Sequence, residues 1–393
     1  MAAGTDIGEE HLVETEHRVT PLELFFDLVF VFALTQVTTL MARESSWADL
    51  GRGMLMLIAL WWAWAAYAWL TNTIDPDEGR ARIAMFVSMT AMLIAALAAP
   101  DAFADYGVLF ACAYFVVRVM HIVVYAEATG DIAIHEAALR LARTAVPAPA
   151  LLIVAALLDS PAREIVWIVA LTIDLAGPYV FGIRGLTVHP AHFAERFGLV
   201  VIIALGESIV AIGVGAEGTS LSVGVVVAAV LGVVVSAALW WSYFDVVAVV
   251  AERRFRRMRG YAQVRLARDS YAYLHLPMIA GIVLLALGIK KTVGHYDEPL
   301  EAVPALGLLG GIALYYTGHV GFRLRNLGSL NRQRLLIAIV CLALMPLAVE
   351  IDALISLAIA AALTGGLVAY EAIRFAESRA RIRGPEADAM TAP

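Results

Sequence analysis

Thr20-Pro21-Leu22-Glu23-Leu24-Phe25-Phe26-Asp27-Leu28-Val29-Phe30-Val31-Phe32-Ala33-Leu34 is the stretch on which the fold class turns. Thr at the N-cap, Pro at the first helical position and Glu at the third form a capping box, so a helix starts here. The run continues to about residue 42, and at ~1.5 Å per residue that crosses a hydrocarbon core of ~30 Å. The rest of the chain has the same character. Of its 393 residues 61% are hydrophobic and 16% charged, and mean hydropathy is +0.79. Soluble chains run at about 45–50% apolar and about 25% charged. There is too little polar surface to clothe a globule in water, so the expected fold class is an all-α polytopic membrane protein. A net charge of −7 without a basic domain argues against nucleic-acid binding. Cys112 and Cys341 sit in apolar runs and form neither a disulfide framework nor a CxxC pattern. Residues 1–20 are acid-rich and lack the basic start and apolar core of a signal peptide. The polar segment from Arg379 to Pro393 reads as disordered.

Twelve spans are expected, at about 22–42, 53–74, 81–99, 104–126, 137–158, 164–182, 194–214, 220–250, 270–290, 301–322, 333–349 and 351–372. The fifth is weakened by Arg140, Arg143, Pro147 and Pro149, and only Glu350-Ile351-Asp352 separates the last two; ten or eleven spans are the alternatives. With twelve, 22 lysines and arginines fall on the side of the N-terminus and 5 on the other, Arg118 being inside a span, which accounts for all 28. This bias predicts cytoplasmic termini. The basic stretch Arg253-Arg254-Phe255-Arg256-Arg257-Met258-Arg259 becomes an inner loop that anchors topology and meets lipid headgroups.

The chain also repeats itself. Glu23-Leu24-Phe25 opens the first span and Glu195-Arg196-Phe197 the seventh. Leu60-Trp61-Trp62 lies in the second span and Leu239-Trp240-Trp241 in the eighth. His121 stands in the fourth span and His319 in the tenth. Three matches in the same order, six spans apart, predict two parallel six-helix repeats. The segments are then an N-terminal piece (1–21), a first repeat (22–185), a second repeat (186–376) and a C-terminal tail (377–393). Sites in such transporters lie at the repeat interface.

Two longer segments carry a family resemblance. Arg18 to Gln36, with Thr20-Pro21-Leu22-Glu23-Leu24-Phe25-Phe26-Asp27 inside it, resembles the opening signature of the bacterial low temperature requirement protein A family. His189-Pro190-Ala191-His192-Phe193-Ala194-Glu195-Arg196-Phe197-Gly198, continuing to Gly206-Glu207-Ser208, resembles its second signature. The resemblance covers nearly the whole chain. It implies a multi-pass protein of the bacterial inner membrane linked to growth at low temperature, with no substrate or reaction attached. Phe25-Phe26-Asp27 is also similar to the first-span Phe-Ser-Asp signature of endolysosomal and bacterial potassium channels. Phe26 replaces the Ser, and Leu199 stands where the second half should carry the acid.

Ionisable residues inside spans are costly and mark function by default. Glu207, between Gly206 and Ser208, lies ~18 Å along its helix from Glu195, near the midplane. A carboxyl that exchanges protons there suits proton coupling or cation binding, and the flanking Gly206 and Ser208 suggest close backbone approach. Asp174 precedes Gly177-Pro178, and Pro178 crowds the carbonyl at i−4, so a broken helix with a carboxylate at the break is expected. Asp27 lies one turn beyond Glu23 and too deep for capping; its expected partner is Arg118, with His121 on the same face. Glu23 has the capping role as its structural reading. Asp245, His275 and His319 fall near inner helix ends, lining a vestibule or resting with polar tips in water. His189, His192 and Glu195 follow an H-x-x-H-x-x-E spacing, a weak metal signal without a fourth ligand. The aromatic run from Trp61 to Trp69 reads first as packing and second as a substrate cage.

The expected function is a secondary transporter of a small solute or ion, with or without coupling to protons, and without a cofactor. No Walker motif is present, so ATP-driven transport would need a partner. A duplicated cation channel, assembling as a homodimer, is the second reading. A channel predicts a pore lined by the first and seventh spans, a transporter a pocket closed on one side. A membrane enzyme is a third reading, although no G-x-S-x-G or H-E-x-x-H set occurs. A cold-adaptation scaffold is the fourth. Expected partners are membrane lipids and the small solute or ion.

Overall fold

The capping box forms as its residues dictate. The Glu23 backbone N–H donates to the Thr20 hydroxyl at 3.3 Å, and the Thr20 N–H donates to the Glu23 carboxylate at 2.9 Å. The computed structural model describes residues 18–127 and 131–383. The acid-rich residues 1–17 and the tail at 384–393 lie outside them. Among the described residues every named element is helical.

Among the described residues ten helices are long and apolar enough to cross a membrane: α1 (Pro21–Ala42), α2 (Trp47–Thr71), α3 (Gly79–Asp101), α4 (Gly107–Glu127), α5 (Ile132–Ala156), α7 (Pro190–Ala216), α8 (Val223–Arg257), α9 (Gly260–Gly294), α10 (Ala302–Leu327) and α12 (Ala353–Arg374). Two more stand where spans were expected. α6 (Ala162–Val180) carries Arg163, Glu164 and Asp174. α11 (Arg332–Ala348) has 17 residues, short of the ~20 a full crossing needs. The protein is a multi-pass membrane protein with ten candidate spans rather than twelve uniform ones.

α1 packs on α2 and α3, α3 on α4, α5 on α4 and α6, and α2 on α6. Further along, α7 packs on α8 and α9, α9 on α10, α11 on α10 and α12, and α8 on α12. The two groups join where α1 lies against α7 and α9. Leu28, Ile83, Val223 and Ile339 face outward, as a lipid solvent allows. Trp61, Trp64, Phe197 and Tyr315 are buried at the centre.

Without a hydrophobic drive between lipid-solvated helices, close backbone approach does the work of association. At the α9–α10 crossing a Cβ added to Gly311 would lie 2.6 Å from the Gly281 carbonyl oxygen, and one added to Gly281 would lie 2.6 Å from that of Gly311. Gly311→Val should therefore force the helices apart. Overpacking of this kind costs about 1–3 kcal/mol, and a lower melting temperature in detergent, relative to Gly366→Val where a Cβ meets open space, checks it. Both α9 and α10 carry a π-helical stretch, at Ala267–Tyr273 and Leu306–Gly310; such turns gather at functional sites.

Three local expectations are corrected. α6 does not break at Gly177-Pro178: it runs on to Val180, and the Phe181 N–H bonds the Gly177 carbonyl at 2.9 Å. Gly177 instead admits Thr144 of α5, which leaves no room for a Cβ. The basic stretch is helical as far as Arg257, because Phe255 is buried beneath it. The expected disordered tail begins with a short helix, Ala376–Arg383, held by an Arg379–Asp245 ion pair and a bond from Arg253 to the Ile382 carbonyl.

Candidate functional site

The crossing of α1 and α7 brings the two signature segments together. Asn72, at the end of α2, accepts from the His189 N–H at 2.8 Å and donates to the His189 carbonyl at 3.1 Å and to His192 Nδ1 at 2.9 Å. Asn72 Oδ1 is the acceptor in this set, so its amide nitrogen must donate to His192. The His192 proton is therefore on Nε2, which donates to Glu23 Oε2 at 3.0 Å. One turn further, Arg196 Nη2 donates to Asp27 Oδ1 at 3.0 Å, and Trp64 Nε1 donates to the same oxygen at 2.9 Å. Arg196 Nε lies 3.7 Å from Glu23 Oε1. All of these side chains are buried.

Two carboxyl groups thus share one guanidinium and one imidazole inside the protein. Glu23 Oε1, Asp27 Oδ2 and Arg196 Nε and Nη1 have no hydrogen-bond partner. Buried polar atoms are nearly always satisfied, so a cluster of orphans asks for a further group, such as a proton, an ion or water.

Deeper on the same pair of helices, Glu207 is buried and accepts a 2.6 Å hydrogen bond from the Thr35 hydroxyl. Ser208 is buried with an unpartnered hydroxyl. Gly206 is not a point of close approach, since a Cβ there would meet open space. Between the two polar levels Phe30 packs on Trp64, and Phe197 packs on Trp61 and Trp64, all of them buried.

The expected Asp27–Arg118 pair does not form. α1 presents Asp27 to α2 and α7, whereas α4 turns Arg118 toward α2 and α6, where its Nη2 bonds Asp174 Oδ1 at 2.8 Å. His121 lies beside this pair, tilted against Tyr67 and edge-on to Tyr125. His275 and His319 are not wet tips. His275 Nε2 bonds the Tyr243 hydroxyl at 2.9 Å and its Nδ1 meets the Ser270 carbonyl at 3.0 Å. His319 Nδ1 accepts from Arg334, which also forms a two-pronged pair with Glu371. Asp245 pairs with Arg379.

The spacing of His189, His192 and Glu195 does not become a metal centre. His192 is spent on Glu23 and Asn72, while Glu195 is exposed and accepts from the Val19 N–H at 3.4 Å. Among the described residues no three His, Cys, Asp or Glu side chains gather to hold a metal. The aromatic run serves two ends: Trp61 and Trp64 pack and donate hydrogen bonds to the Ala272 carbonyl and Asp27, and Trp62 and Trp69 line a cavity.

Sequence reasoning missed Arg196, Asn72, Trp64, Arg334 and Glu371 as members of polar networks. Arg196 carried a usable signal: it stands one turn after His192 at the head of an apolar run. Counting it among cytoplasmic loop charges hid it. Arg196, Arg268 and Arg334 are all buried, which removes three from the 22 on that side and leaves the bias intact.

The model of the bacterial low temperature requirement A protein (LtrA) family matches residues 18–369. An uncharacterized protein of Rhizobium meliloti (strain 1021) is 31% identical over 308 residues, covering 75% of each chain. No solved structure matches the chain significantly. The match spans both signature segments and the helices that carry the Glu23–Asp27–Arg196 and Arg118–Asp174 networks, and the chain belongs to the bacterial low temperature requirement A family.

Proposed function

We propose that this protein is a secondary transporter of a small solute or ion, coupled to protons or another cation, in a bacterial inner membrane. It is taken as a carrier rather than an enzyme. The reading is carried by one observation: Glu23 and Asp27 are buried around a shared guanidinium at the α1–α7 crossing, each with an orphaned carboxyl oxygen. A site of that kind takes up a proton or cation when it opens, and Glu207 supplies a second carboxyl on the same helices. The likeness of packing within residues 22–185 and 186–376 supports two parallel six-helix repeats, with α1 and α7 as equivalent helices at their interface. The charge bias supports cytoplasmic termini. The channel reading is less well supported, because Phe30 of α1 and Phe197 of α7 both pack on Trp64 of α2 beside the α1–α7 crossing.

Reconstitution into liposomes tests this. Under an imposed proton gradient the wild type should show a transient charge movement that is lost in Glu207→Gln and Asp27→Asn, each first checked for a native melting curve. A sustained potassium current would overturn the transporter in favour of the channel. An unchanged transient in both variants would remove these carboxyls from coupling.

A further inference from the structure

A second polar site lies away from the α1–α7 crossing, in a cavity of about 60 Å³ between α2, α4, α5 and α6, closed on one side by the π-helical stretch of α9. Its walls include Trp62, Trp69, Arg118, His121, Asp174 and Arg268. Arg118 and His121 are more than nine-tenths buried. Arg118 Nε and both ring nitrogens of His121 have no hydrogen-bond partner, although the Ala66 backbone interacts with the ring. Arg118 Nη2 is the prong held by Asp174, and Nη1 reaches only a long 3.5 Å contact with the Trp62 carbonyl. Donors are thus left unmet in one enclosed space, where leaving them unsatisfied is costly.

Donor chemistry decides what would meet them. Arg118 and Arg268 each hold a carboxylate, Asp174 and Asp269, yet Arg118 keeps an unmet guanidinium N–H. A guanidinium donates and cannot accept, so it calls for an oxygen acceptor and offers nothing to a bare cation. Size narrows the choice: the cavity has room for a few water-sized groups, a guest of a few heavy atoms. Shape narrows it again: the edge of a guanidinium presents parallel N–H groups that match a planar oxyanion, and Trp62 and Trp69 line the same space.

We propose that this cavity binds a compact planar monoanion, of the size of nitrate, formate or acetate, through Arg118 and His121. Asp174 holds the guanidinium in place and occupies one prong of it, leaving the Nε edge to the guest. As cargo for the transporter this rests on the reading above; as a binding site it stands on the cavity alone.

The experiment is equilibrium titration of the purified full chain in detergent, without any gradient, by calorimetry and by the fluorescence of the tryptophans. Sodium nitrate, formate and acetate are the probes, with sodium gluconate as the bulky control and ammonium gluconate as the cation control. Saturable binding of at least one probe, absent with both controls, is expected. His121→Phe, which keeps the ring and removes the nitrogens, should weaken it tenfold or more. Ala65→Val, which fills the cavity without touching a charge, should do the same, and it keeps the test alive if His121→Phe fails to fold. No saturable binding to wild type, equal binding of ammonium, or unchanged affinity in the folded variants would overturn the site and point to water as its only occupant. Binding without gradient-driven flux would sink the transporter and leave the site. Flux without binding would do the reverse.

Discussion

Arg196→Met should yield little or no folded protein. The substitution keeps most of the volume and removes the one cation that faces both Glu23 and Asp27. Breaking a buried ion pair by deleting one partner costs about 3–5 kcal/mol, because the other charge stays behind uncompensated. Here two carboxylates lose their cation, although Glu23 keeps His192 and the Thr20 N–H. The compensating variant is Arg196→Met with Asp27→Leu, which removes the acid that has no other charged partner. It should recover most of the wild-type melting temperature while showing no proton-dependent transient. The single and double variants, compared by thermal melting in detergent and by size-exclusion profile, check this. A single variant as stable as wild type would mean that the pair is open to water and contributes little.

Asp174→Leu should behave in the same way on the other side of α2. Arg118 is buried and Asp174 is its charged partner in the helices around it, so the same ~3–5 kcal/mol applies. That is a factor of about a hundred to a few thousand in the ratio of folded to unfolded protein, at ~1.4 kcal/mol per tenfold. Arg118→Met with Asp174→Leu replaces the pair by apolar groups and should fold as well as wild type. It should nevertheless bind none of the anions offered. Stability restored together with binding would show that the pair is structural only.

Much of this was legible in the residues. The capping box at Thr20 and Glu23, the multi-pass all-helical class and the turn at Glu350-Ile351-Asp352 are local features, and local chemistry decides them. That Asp27, Glu207, Asp174, Arg118 and His121 are polar groups set inside helices was also legible as a list, because a charge inside an apolar run stands out. Their partners were not. Asp27 was expected to meet Arg118 on the ground that both were deep and opposite in sign. Helix neighbourhood overrode that, since α1 and α4 turn these residues toward different helices. Gly206 and Gly177 were misjudged for a related reason: whether a glycine marks a close approach or a break depends on what lies across from it. Arg196 was hidden because a charge near a helix end reads as a loop charge until the depth of that end in the bundle is known.

The sequence by itself determined that the chain lives in a membrane as helices and that several of its polar residues, Asp27, Asp174 and Glu207 among them, are buried at a cost. Hydropathy, caps and breakers act within a few residues along the chain, and these properties are set at that range. Only the tertiary structure decided that Glu23 and Asp27 share Arg196, that Arg118 belongs to Asp174, and that an Arg and a His with unmet donors face one small cavity. Those pairings depend on which helix faces are apposed and at what rotation, and that is fixed by packing between segments far apart in the chain.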